Sequence, residues 1–265
     1  MRRHLAGIVL LLHAISCSGK PPVTSDSIII HSVIVNDDYL IRVRKPANFS
    51  SDKNYRFVYV TDGSIGLGDY VLGKDSSWMA AIPENCLIIT IGHTGSWEQK
   101  RRRDFIPSDA GAYHDERFGR ANQFYEGLTT EIIPAIEKLF PNKADRVLVG
   151  HSFGGLFALY AALKERPFFD QVFAISPSVW ANNNELLKIE QQFYESNQQL
   201  KIPVLIFAGG LELFNKVLSS SKAFYKALVS RNYPDADIRL EVIGNANHFS
   251  IRKPAIDRIL LALAP

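Results

Sequence analysis

The run Val147-Leu148-Val149-Gly150-His151-Ser152-Phe153-Gly154-Gly155 leaves this chain little freedom in its local structure. An apolar, β-branched stretch leads into Gly-x-Ser-x-Gly, and strong helix formers follow from Leu156. That pattern predicts a buried strand, an abrupt turn and a helix, with the serine held out of the sheet on a nucleophile elbow. Residues two before and two after the serine crowd the turn, which calls for side chains without Cβ, as at Gly150 and Gly154. The bare pattern arises by accident in about one chain in ten of this size. Its context is what gives it weight: a strand signal before, a helix signal after, and free N–H groups at the helix start where an oxyanion would form.

The remaining segments alternate in the same sense. Residues 27–35 and 39–43 read as a hairpin around Asn36-Asp37-Asp38, and His31 within it reads as structural. Further strands are expected at 57–60, 87–91, 171–175, 202–207 and 238–243. Helices are expected at 122–140 with a kink at Pro134, and at 185–200, 215–231 and 254–263. The passage 92–120 shows no clear period and reads as a long functional loop. Together these predict an α/β fold: one mostly parallel, doubly wound sheet with an N-terminal antiparallel hairpin and helices on both faces.

In such sheets reactive groups collect beyond the carboxyl ends of the strands. Three strand ends then supply Ser152, Glu212 and His248, in the chain order nucleophile, acid, histidine. Serine needs a base to react, and His248, in the polar loop Gly244-Asn245-Ala246-Asn247-His248, is the candidate. Glu212 is the candidate for orienting its ring, with a helix-dipole role as the alternative. Asp235 and Asp237 precede the last strand and fall at the wrong end of the sheet, and His151 reads as packing. The backbone N–H of Phe153 is one expected oxyanion donor, and Gly63 or Ser64, after the strand at 57–60, the other. Asp62 reads as a brace for that turn.

The seven histidines are scattered and the body holds one cysteine, Cys86, so neither a metal site nor any cofactor is expected. The formal charge of +3 includes Arg2 and Arg3, and there is no basic field suited to nucleic acid. Those arginines, the apolar stretch 5–15 and Ala14-Ile15-Ser16-Cys17 have the three-part layout of an export signal. The layout is similar to that of a bacterial lipoprotein signal, which implies lipidation at Cys17 and an exported, membrane-anchored protein, periplasmic or at the cell surface. The organisation expected is a signal over 1–17, a tether over 18–26 and one domain over 27–265.

Several segments, in order through nearly the whole body, resemble the esterase D family of α/β-hydrolases, and within it the siderophore esterases that open trilactones. They are Tyr59-Val60-Thr61-Asp62-Gly63, the Arg-x-x-Asp-Phe-x-Pro element from Arg101 to Pro107, Phe124 to Glu137, and Gly150-His151-Ser152-Phe153-Gly154-Gly155. Ile175-Ser176-Pro177-Ser178-Val179-Trp180, Gly210-Leu211-Glu212 and Asn247-His248 complete the set. The resemblance implies a serine carboxylesterase with Ser152 as nucleophile and His248 as base, and an acid, where the family uses one, near Glu212. It further implies a small ester substrate, for which Arg101 and Arg103 are candidate anion contacts and Trp180, with Trp97 and Tyr113, a candidate aromatic wall. A ligand-binding protein without catalysis and an acyltransferase on the same residues are the alternatives. Replacing Cys17 by Ser is expected to move the protein from the membrane fraction to the soluble fraction; retention in the membrane fraction overturns lipidation.

Overall fold

The computed structural model describes residues 26–63, 67–72, 82–108, 119–140, 142–196 and 199–265, so the expected signal, Cys17 and most of the tether lie outside the described residues. Eight strands form one sheet: β1 (Asp26–Ser32), β2 (Asp37–Arg44), β3 (Tyr55–Thr61), β4 (Cys86–His93), β5 (Lys143–His151), β6 (Gln171–Ile175), β7 (Val204–Gly209) and β8 (Ile238–Ile243). Their spatial order is β1-β2-β4-β3-β5-β6-β7-β8. β2 runs antiparallel to both β1 and β4, and every other neighbouring pair is parallel. The antiparallel hairpin therefore sits at one edge of a parallel sheet. The connections from the neighbouring strands β3 and β5 run to opposite sides, to β4 and to β6, and a reversal of this kind opens the crevice in which ligands bind in such folds.

Helices cover both faces because the central strands are apolar on both. Phe57 and Tyr59 of β3 point into the layer that also holds Phe105, Phe124, Ile136, Phe157 and Phe224. Their neighbours Val58 and Val60 point the other way, onto Leu67, Val71, Ile256 and Ile259. The first layer is built from α2 (Trp97–Phe105), α3 (Ala121–Gly127), α4 (Ile133–Leu139), α5 (Phe153–Ala162), α6 (Ala181–Ser196) and α7 (Val217–Ser230). The second is built from α1 (Leu67–Leu72) and α8 (Arg252–Leu263). Each fully buried Leu, Ile or Phe contributes about 1.5–3 kcal/mol by leaving water, which is what holds the layers on the sheet. β8 closes the far edge, with Arg239 and Glu241 exposed and Ile238 and Leu240 partly covered.

Three departures from expectation have physical causes. The stretch 92–120 is not all loop: β4 runs to His93, and α2 follows at Trp97. α2 shows almost no apolar period because charge pairs hold it. Arg103 bonds Asp37 and Asp104, Lys100 bonds Asp37 at 2.6 Å, and Tyr39 donates to Asp104 at 2.6 Å. Burial alone would raise the Asp104 carboxyl, but hydrogen bonds with His93 and Arg103 outweigh it and hold it below the ordinary range. Second, the helix expected at 122–140 widens over Leu128–Ile132 into a π-helical segment before resuming with Pro134 in the first turn of α4. A proline has no N–H to return to the preceding turn, and the wider turn absorbs that loss. Third, α6 is regular only from Glu185; Asn182, Asn183 and Asn184 all have left-handed backbones, which asparagine tolerates better than most residues. The side chain of Asn182 donates to the Ser108 carbonyl and to Glu185, tying the end of the α2 region to α6.

Candidate active site

Ser152 sits between β5 and α5 with φ 61° and ψ −119°, a backbone that non-glycine residues reach only when their surroundings impose it. The surroundings here are backbone-close. A Cβ on Gly150 would lie 2.0 Å from the Gly154 carbonyl oxygen, and one on Gly154 would lie 2.2 Å from Thr61 Oγ1. The Ser152 N–H donates to the Ile175 carbonyl at 3.0 Å, pinning the elbow to the neighbouring strand end. The strain is therefore paid for by packing that only glycine permits, and the hydroxyl stands clear of the sheet.

From Ser152 an unbroken chain of hydrogen bonds runs across three strand ends. Ser152 Oγ lies 3.0 Å from His248 Nε2, and His248 Nδ1 lies 2.6 Å from Glu212 Oε1. An ionised carboxylate only accepts, so Nδ1 carries the proton and Nε2 is left to receive the one on Ser152. The second oxygen of Glu212 accepts from Ser176 Oγ and from the Gly209 N–H, both at 2.7 Å. Burial pushes the Glu212 carboxyl up, yet the hydrogen bonds from His248, Ser176 and Gly209 more than compensate, and its net shift is downward. Glu212 thus stays ionised while 2% exposed. The His248 loop is itself braced, because Asn247 Oδ1 accepts from the N–H groups of Phe249 and Ser250, each at 2.9 Å.

On the oxyanion side, Phe153 occupies the first turn of α5, where N–H groups lack acceptors within the helix. Gly63 is not the second donor. Its N–H donates to the Ile91 carbonyl at 2.8 Å, and its own carbonyl accepts from Arg42. A Cβ there would meet Gly92 N at 2.7 Å, so glycine at this position serves a close approach of backbones. Ser64, the other expected donor, lies outside the described residues, as does Tyr113. The arginines also differ from expectation. Arg103 is taken up by Asp37, Asp104 and Tyr39, far from any substrate role. Arg101 forms a two-pronged pair with Asp62, including Nη2 to Oδ2 at 2.9 Å, and its guanidinium lies about 6 Å from the rings of Trp97, Phe105 and Phe153. It fixes the turn before Gly63 and does not project into solvent as a free anion-binding fork. Trp180 is part exposed beside Phe153, with ring centres 6.2 Å apart.

Comparison with known proteins agrees with this geometry. The family described as "Putative esterase" matches residues 32–206. The chain belongs to this esterase family. It is 26% identical over 253 residues to the ferri-bacillibactin esterase BesA of Bacillus subtilis, covering 87% of this chain and 86% of that one. It is 28% identical over 174 residues to the siderophore triacetylfusarinine C esterase of Aspergillus fumigatus, covering 61% of this chain and 59% of the relative's length. The BES protein from Bacillus cereus has the same fold, with a TM-score of 0.76, 23% identity, and 95% of this chain and 100% of that chain covered.

Two residues beside the candidate site stand within the segment Ile175 to Trp180 that carries part of the family resemblance, but the sequence assigns them no role. Ser176 and Ser178 leave the end of β6 two positions apart, and each touches a different member of the Ser152–His248–Glu212 hydrogen-bond chain. Ser176 donates to Glu212, while Ser178 Oγ lies 3.3 Å from Ser152 Oγ. With the Ser152 proton directed to His248, Ser178 is the donor in that contact. Two hydroxyls at the carboxyl end of a central strand were the available signal. Among the described residues no group of three or more His, Cys, Asp and Glu could hold a metal ion.

Replacing Glu212 by Gln is expected to lower kcat by about 10²–10⁴ by disturbing the tautomer of His248 while KM changes little; steady-state kinetics on a p-nitrophenyl ester checks this. Arg101→Lys keeps the charge beside Asp62 and removes the fork. Its expected result is a fall in kcat of about tenfold with KM within about twofold, since it braces the turn; a raised KM with unchanged kcat would return Arg101 to substrate binding.

Proposed function

We propose that this protein hydrolyses carboxylic esters through an acyl-enzyme on Ser152, with trilactone siderophores as its substrate class. The observation that carries the reading is the continuous Ser152–His248–Glu212 hydrogen-bond chain at 3.0 and 2.6 Å. His248 Nε2 takes the Ser152 proton as Oγ attacks the ester carbonyl, and Glu212 stabilises the imidazolium that forms. The Phe153 N–H, at the positive end of α5, faces the developing oxyanion. His248 then gives its proton to the departing alkoxide, leaving acyl-Ser152. A water molecule, deprotonated by the same imidazole, releases the acid and restores the serine.

The substrate class rests on the names of the relatives and on the lining of the site. Phe153, Trp180 and the part-exposed Trp97 give one side of the opening aromatic faces suited to aryl groups. Leu211 and Phe249, the chain neighbours of Glu212 and His248, are exposed and add apolar surface. The three-part leader layout supports export with anchoring through Cys17 as part of the same proposal.

A fluorophosphonate probe is expected to label the protein covalently at Ser152, with no labelling of Ser152→Ala. That variant is expected to lose hydrolysis of both a p-nitrophenyl ester and a ferric trilactone siderophore while keeping its fold. Unchanged turnover in Ser152→Ala overturns the mechanism. Turnover of feruloyl or acetyl esters that outpaces the trilactone overturns the substrate class, and ester products formed with added alcohols would favour acyl transfer.

A further inference from the structure

His151 is buried, is not used by the mechanism above, and touches the catalytic histidine in two ways. Its Nε2 lies 2.8 Å from the backbone carbonyl oxygen of His248, and its ring centre lies 4.6 Å from the ring centre of His248 at an angle of 39°. Ser152, the next residue in the chain, touches the same histidine at Nε2. Two adjacent residues at the end of β5 therefore grip His248, one at its reactive nitrogen and one at its backbone and ring face. We propose that His151 is a positioning residue that holds the His248 imidazole in line with Ser152. The inference rests on the serine-esterase reading for its consequence in rate, though not for its geometry.

The carbonyl can only accept, so the His151 proton resides on Nε2. Burial, reinforced by His248, Arg252 and Arg101, lowers the His151 pKa well below its ordinary value and keeps the ring neutral. A neutral ring matters at this place. His248 becomes a cation each time it takes the Ser152 proton, and a second cation against its face would oppose that step. The His248 loop leaves β8, an edge strand, and His151 ties the carbonyl of His248 to the end of β5, a central strand. Phenylalanine in place of His151 would keep the ring face without the donor, and glutamine would keep a donor without the ring.

The test compares the full-length protein with His151→Ala, His151→Phe and His151→Gln. Three readouts are needed: the downfield proton resonance of His248 Nδ1–H, the rate of labelling by a fluorophosphonate, and kcat and KM on p-nitrophenyl acetate. The expected result for His151→Ala is a broadened or displaced His248 resonance and a fall in kcat of about a hundredfold, with KM within about twofold. His151→Phe and His151→Gln are each expected to recover part of that loss. Rates are referred to the folded fraction measured by circular dichroism. An unchanged His248 resonance in His151→Ala overturns the proposal, as does a loss of rate fully accounted for by unfolding. A parent protein that shows the resonance and its displacement in His151→Ala, yet neither labels nor turns over ester, supports the positioning role and overturns the esterase reading instead.

Discussion

The close approach of Gly150 to Gly154 is the constraint on which the rest of the site depends. It lets the chain reverse from β5 into α5 within a single strained residue, and that residue is Ser152. A wider turn would lower the serine into the sheet and separate its N–H from the Ile175 carbonyl that now anchors it. Everything reactive is measured from this point. Through the parallel register the ends of β6, β7 and β8 bring Ser178, Glu212 and His248 around it: Ser178 and His248 each touch Ser152, and Glu212 holds His248.

A second framework, ionic where the first is steric, supports the opposite wall. Asp62 is buried and left-handed at the end of β3, and only its pairing with Arg101 makes a carboxylate tolerable there. Arg101 belongs to α2, and α2 is itself tied to β2 through Asp37. The result is a path of charge pairs from the antiparallel edge of the sheet to the turn beside the nucleophile. It gives the polar segment after β4 a reason to be helical that its apolar content does not supply.

The succession of strands and helices, the elbow and the chain order of Ser152, Glu212 and His248 were readable in the sequence because those features are written in local chemistry. Alternation gives strands, glycine spacing gives the tight turn, and the strand ends assign the rim. What escaped was non-local. α2 lacks an apolar stripe because its partners are Asp37 and Asp62, 66 and 39 positions away from Arg103 and Arg101. The same cause misled the reading of Arg101 and Arg103, since neighbouring cations look like an anion site until their carboxylates are found. Gly63 looked like a donor because its position in the chain is right, but the Ile91 carbonyl, from a strand one crossover later, had already claimed its N–H. Ser176 and Ser178 were visible as a segment but not as contacts, because a hydroxyl announces no role until its neighbour is known.

His248 hangs from β8, the outermost strand, whose Arg239 and Glu241 face solvent. An unpaired strand border invites another chain to add to it, and charged side chains along it discourage such addition. Here the border carries His248 a few residues beyond its end. Because only Gly244 to Asn247 separate β8 from His248, a strand added along this flank would lie beside the loop that carries the imidazole, and the same exposed charges that discourage the addition keep that loop clear.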